Sequence, residues 1–133
     1  QEAKAELSTD EQLLLDLINK ERASAGLKAL QADPELMNVA RTKAKDMVDN
    51  KYFSHQSPTY GSPFDMMRQF GISFKTAGEN IAGNQSVEGA VQAWMNSEGH
   101  RKNILNGNFN YTGIGIYADT RYGKILVQQF IGR

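Results

Sequence analysis

Only two histidines, His55 and His100, occur in the 133 residues of this chain. Glu98 precedes His100 by two positions in "WMNSEGHRKNIL", and Glu79 sits in the small-residue stretch "AGENIAG". Imidazole is a favoured ligand for zinc and similar ions, and carboxylates either ligate directly or orient a metal-bound water. His55, His100, Glu79 and Glu98 are therefore the residue types of an open divalent-metal site. The same set could do acid–base chemistry, with Glu79 or Glu98 taking a proton from a polarised water. With no cysteine in the chain, thiolate ligation is excluded, so imidazole and carboxylate would have to hold any metal. Spacing does not single this chemistry out, because the two halves lie far apart and no HExxH pattern joins them.

A plainer reading stands beside each residue. His55, in "YFSHQSP", is equally a loop residue or local hydrogen-bonder. His100 and Arg101 fit the carboxyl end of a helix, where positive charge is favoured. Glu98 alone reads as a solvated acid. Glu79 and Asn80 fit turn geometry, with Asn80 bonding backbone. Trp94, Tyr52 and Phe53 read as core. Ser54 and Ser97 stand near the histidines in sequence, which a serine-type hydrolase would require.

Several elements must position these residues. "TDEQLLLDLINKERASAG" predicts a helix with Thr9 as N-cap and Gln12 completing a capping box, with Leu14, Leu17, Ile18 and Ala25 inside and Gly26 as stop. "ADPELMNVARTKAKDMVDN" predicts a second, capped by Asp33, begun by Pro34, and facing inward with Leu36, Val39, Ala40 and Met47. "GSPFDMMRQFG" predicts a short third helix from Ser62 and Pro63 to Gly71, and the loop "KYFSHQSPTY" carrying His55 lies before it. A fourth helix follows Ser86, buries Val87, Val91 and Trp94 or Met95, and ends near Ser97, so that "SEGH" falls at its terminus. "YTGIGIYAD" and "KILVQQFIG", joined by "TRYG", predict a terminal antiparallel hairpin, and "ISFKTAGENIAG" reads as a weaker strand or loop. Helices precede sheet without βαβ alternation, which indicates an α+β domain with helices packed on an antiparallel sheet. The length suits one domain over residues 1–133.

Fifteen basic residues balance fifteen acidic ones, so no global positive field draws a nucleic-acid backbone. No apolar run approaches the roughly 20 residues that span a bilayer. "QEAKAELSTDEQ" lacks the charged-then-apolar order of a secretory leader.

The ordered set "FSH", "GENIA", "WMNSEGHRKNIL" and "GIGIY" with "VQQFIG" resembles the CAP superfamily, which takes in cysteine-rich secretory proteins, antigen 5 allergens and plant pathogenesis-related proteins. The disulfide-free form resembles its bacterial branch. The resemblance implies a three-layer α-β-α sandwich, a secreted or cell-envelope location, and a cleft lined by a His-Glu-Glu-His tetrad. His55 takes the first histidine, Glu79 the first glutamate and His100 the second histidine. In eukaryotic members the second glutamate falls where this chain has Ser97, and in many bacterial relatives a proline stands at Glu98. Glu98 either restores the tetrad from that neighbouring position or points to solvent. Three functions follow from the resemblance, in order of preference. The first is a binding or interaction module that holds a divalent ion, zinc foremost, for an unidentified peptide, protein or envelope partner. The second is a metal-assisted, peptidase-like hydrolase with Glu79 or Glu98 as general base, and the third is a lipid or sterol binder.

Overall fold

A computed structural model describes residues 5–133. The first four residues of the stretch read above for a leader lie outside them. Helix α1, Thr9–Ser24, buries Leu14, Ile18 and, unexpectedly, Arg22. Its cap is Ser8 rather than Thr9: the Ser8 hydroxyl accepts from Glu11 N at 3.2 Å, and the Glu11 carboxylate accepts from Ser8 N at 2.9 Å. A charged glutamate wins the capping-box position over Gln12 because it also binds Arg41 at 2.7 Å, an ion pair that Gln12 could not form. Gly26 stops the helix with φ +76°, a conformation open to glycine without penalty.

After the two-residue strand β1, Gln31–Ala32, helix α2 runs Pro34–Asp49 behind the Asp33 cap, and α3 runs Pro63–Gln69 behind Ser62. The weak segment before the fourth helix is a full strand, β2, Thr76–Asn84. Helix α4, Val87–Met95, follows its Ser86 cap. A further short helix, α5, spans Glu98–Ile104. Strands β3, Tyr111–Asp119, and β4, Gly123–Gly132, form the expected hairpin.

The sheet order is β1-β3-β4-β2, with β2 antiparallel to β4 and the short β1 parallel to β3. Side chains of β4 alternate between the two helical layers. Leu126 and Phe130 pack with α1, α4 and α5 through Leu14, Ile18, Trp94 and Ile104. Ile125, Val127 and Ile131 pack with α2 and α3 through Leu36, Val39, Ala40 and Met66. Helix α2 lies so close to β3 that a Cβ on Gly113 would sit 2.2 Å from the Leu36 carbonyl oxygen. The result is an α+β, three-layer α-β-α sandwich with β2 at one edge of the sheet.

Candidate functional site

The site gathers around the β2 edge, where both helical layers reach Glu79. Glu79 faces the α2 layer, and its side chain is only 1% exposed. Both carboxylate oxygens are engaged: Oε1 accepts from His55 Nδ1 at 2.7 Å and Oε2 from Gln129 Nε2 at 2.8 Å. Gln129 is its cross-strand partner on β4, so sheet register brings the donor to the acid. Because a carboxylate only accepts, His55 donates Nδ1–H to Glu79, which leaves Nε2 as the ring nitrogen that Glu79 does not engage. His55 is half-exposed, at 51%, at the mouth of a cleft of about 540 Å³ that Ser54, Pro63, Phe64 and Ala77 also line. Neither Glu79 nor Asn80 serves a turn; both lie in a regular strand.

His100 comes from the other layer, and here sequence periodicity misplaced the boundary. It lies in the first turn of α5 rather than at the last turn of α4, because Asn96 ends α4 and Ser97 is extended at φ −114°, ψ 120°. Among the residues of α5 only Ile104 is buried, so that helix leaves almost no apolar pattern to read. Ser97 occupies the N-cap position without capping. Its hydroxyl instead shares a 2.8 Å hydrogen bond with His100 Nδ1. The His100 ring stacks beside Trp94, at 6.4 Å between centroids and 21° between planes, and Trp94 is anchored by donating Nε1–H to the Ile81 carbonyl at 3.0 Å. Asn80 donates to the His100 carbonyl at 3.0 Å, and Asn103 bridges to the Glu79 carbonyl and to Asn80 Oδ1, which fastens α5 to β2. Burial first, then the charge of neighbouring His55, hold the His100 pKa below the ordinary imidazole range.

Glu98 stands apart from this group. Its side chain is 73% exposed and pairs with Lys102 one turn along α5, at 3.4 Å. Among the described residues no three His, Asp or Glu side chains gather as a metal cage would need. Each histidine is instead bonded through Nδ1, His55 to a carboxylate and His100 to a hydroxyl.

Sequence reasoning did not single out Gln129, Asn103 or Lys43 around this site. Lys43 carried a usable signal, since it interrupts the inner stripe of α2 between Val39 and Met47. Of the aromatics read as core, Trp94 is buried and Tyr52 is partly so, but Phe53 is 40% exposed and meets Tyr122 in a tilted pair, 5.5 Å between centroids and 49° between planes.

Comparison with known proteins agrees with this architecture. The Bacillus subtilis (strain 168) protein YkwD is 58% identical over 132 residues, 98% of this chain and 50% of that protein. The chain thus spans about half the length of that curated relative. An extracellular protein containing a SCP domain from Bacillus anthracis str. Ames superposes with TM-score 0.84 at 38% identity, covering 98% of this chain and 45% of that one. An outer surface protein from Borrelia burgdorferi has the same fold, with TM-score 0.87 at 24% identity over 100% of this chain and 99% of that one. A more distant structure, NaASP2 with Zn2+, shares the fold at TM-score 0.66 and 18% identity, covering 98% of this chain and 83% of that one. No helix among the described residues is long and apolar enough to cross a membrane. Residues 15–130 match the CAP family, described as the cysteine-rich secretory protein family, and the chain, though free of cysteine, belongs to it.

Proposed function

We propose that this domain is an extracellular or envelope-exposed binding module whose cleft takes a divalent cation, zinc foremost, through the Nε2 atoms of His55 and His100. The observation that carries this reading is the state of the two rings. His55 is held at Nδ1 by the Glu79 carboxylate at 2.7 Å, and His100 at Nδ1 by the Ser97 hydroxyl at 2.8 Å. In each ring the far nitrogen, Nε2, is the one left for a ligand, with His100 donating Nδ1–H to the Ser97 hydroxyl in the metal-binding tautomer, and metal-binding histidines characteristically donate their other N–H to a carboxylate or similar acceptor. Glu79 is then an orienting group rather than a ligand, and Ser97 fills the place that the second glutamate holds in eukaryotic relatives. Glu98 has no part in it. Two imidazoles leave coordination positions to water or to an incoming ligand group, the arrangement of an open site rather than a closed structural one. The extracellular B. anthracis relative and the zinc-bound NaASP2 structure support the location and the choice of ion, the second through shared fold alone.

A bound cation would polarise a ligand oxygen or lower the pKa of a bound water. The chain's own contribution is to orient both rings, His100 through Ser97 and His55 through the buried Glu79 carboxylate. That pairing also favours, as a second reading, a hydrolase in which His55, backed by Glu79, takes a proton from water in the manner of a His–acid pair. Turnover of a peptide library that disappears in H55A would establish it, and no turnover with zinc present would refute it.

The binding reading is tested by calorimetric titration of zinc into chelator-treated protein at pH 7.5, with H55A and H100A alongside. Micromolar or tighter binding in the wild type, lost in either variant, is expected. Affinity unchanged in both variants would refute it.

A further inference from the structure

Helix α2 places a lysine where its pattern calls for an apolar residue. Lys43 is 1% exposed and lies between Val39 and Met47 on the face turned to the sheet. A buried ammonium is costly unless it is hydrogen-bonded and balanced by charge, and an apolar residue of similar size in its place is often neutral or stabilising. The contacts of Lys43 therefore need an explanation beyond packing. Its Nζ donates to the backbone carbonyl of His55 at 3.0 Å and to the Tyr52 hydroxyl at 3.2 Å, with the Tyr52 ring centroid at 4.9 Å.

Asp46, one turn further along the same helix, completes the attachment. It accepts from the Tyr52 hydroxyl, from Ser57 Oγ at 2.7 Å and from Asn50 Nδ2 at 2.6 Å. Ser57 in turn pairs with Gly61 through both backbone bonds, at 2.7 and 3.0 Å, which closes the loop behind His55. The loop that presents His55 is thus fastened to α2 at Tyr52, at His55 itself and at Ser57.

The charges have the same logic. Burial draws the Lys43 pKa down, while the charges of Glu79 and then Asp46 draw it up, so both carboxylates lie within its field.

We propose that Lys43 is the positioning residue of the cleft: its ammonium pins the His55 backbone so that the imidazole meets Glu79, and its charge offsets the buried carboxylate beneath. This rests on the cation-binding reading for its purpose but not for its test. The Nδ1–H of His55 is followed by nitrogen-edited NMR on metal-free protein of the wild type, K43M and V39A. In the wild type it exchanges slowly, because Glu79 holds it. In K43M it should exchange with water at least tenfold faster while circular dichroism stays native, and zinc affinity should fall at least tenfold. V39A, which loosens the same helix face without touching the cleft, should leave both readings near wild type. An unchanged His55 signal in K43M, or an equal loss in V39A, overturns the proposal. Should K43M not fold, the Lys43 ammonium signal of the wild type decides: slow exchange with a cross-peak to the His55 loop supports the assignment, and a freely exchanging ammonium refutes it. If the wild type binds no zinc yet K43M alters the His55 signal, the cation reading fails and the positioning role stands.

Discussion

Replacement of Glu79 by glutamine separates charge from shape at the centre of the cleft. The carboxylate accepts from His55 at 2.7 Å and from Gln129 at 2.8 Å, and Gln129 Oε1 is a buried acceptor without a partner among the described residues. In E79Q the new amide turns its oxygen to His55 Nδ1–H and its NH2 to Gln129. A 180° flip of the Gln129 amide then offers the idle Oε1 to that NH2, so both hydrogen bonds survive as neutral ones. Charge-assisted bonds contribute about 1.5–3 kcal/mol and neutral ones about 0.5–1.5, which puts the cost of exchanging both at about 2–3 kcal/mol of folding stability. E79A has no such remedy. It forfeits both charge-assisted bonds, about 3–6 kcal/mol, and leaves Gln129 Nε2 newly unpaired beside its already idle Oε1, so it must be clearly the worse variant in a urea melt. For zinc the order of effects differs. Loss of an orienting carboxylate typically lowers metal affinity about 10–100-fold, or about 1.4–2.8 kcal/mol, and E79Q should show that loss while remaining folded. Calorimetry at pH 7.5 with paired urea melts measures both. Wild-type zinc affinity in E79Q would refute the role given to Glu79. An E79Q as unstable as E79A would refute the compensating flip.

Other consequences follow from the same geometry. E98Q should change neither zinc affinity nor, beyond about 0.5 kcal/mol, stability, because an exposed pair one helical turn apart contributes little; a tenfold loss of affinity would return Glu98 to the site. The His100 pKa is depressed in the fold, so the unfolded chain binds that proton more readily and the stability present above about pH 6.5 is lost as pH falls below it. Chemical denaturation between pH 7.5 and 5 should therefore slope less steeply in H100Q than in the wild type, and equal slopes would refute this. G113A should cost about 3 kcal/mol, at the upper end of overpacking, since its Cβ would stand 2.2 Å from a backbone oxygen of α2. G99A meets open space inside a helix and should be neutral or stabilising by about 0.5–1 kcal/mol, although it adjoins His100.

Much of the scaffold was legible because its signals are local. Asp33–Pro34, Ser62–Pro63 and Ser86 announce helix starts through hydrogen bonds made within one turn, and Gly26 and Gly71 announce stops through positive φ. The hairpin was legible for the same reason, as two β-rich runs about a polar turn. Helix α5 was not, because a seven-residue helix with one buried side chain has no periodicity, and so His100 was assigned to the wrong end of the wrong helix. Strand β2 was only half visible because its glycines and polar residues obtain their strand character from pairing with β4 rather than from their own preference.

The residue types of the site were set by the sequence alone: two imidazoles, a choice of acids, and no thiol. Which of them meet was decided only by tertiary structure. The register of β2 on β4 gave Glu79 to Gln129, the attachment of a loop to Lys43 and Asp46 carried His55 over Glu79, and an uncapped helix start turned Ser97 toward His100. Glu98, the nearest acid in sequence, was left to solvent. Adjacent positions on a helix point in directions about 100° apart, whereas facing positions on paired strands point the same way. That difference let a distant glutamate enter the site and kept a neighbouring one out.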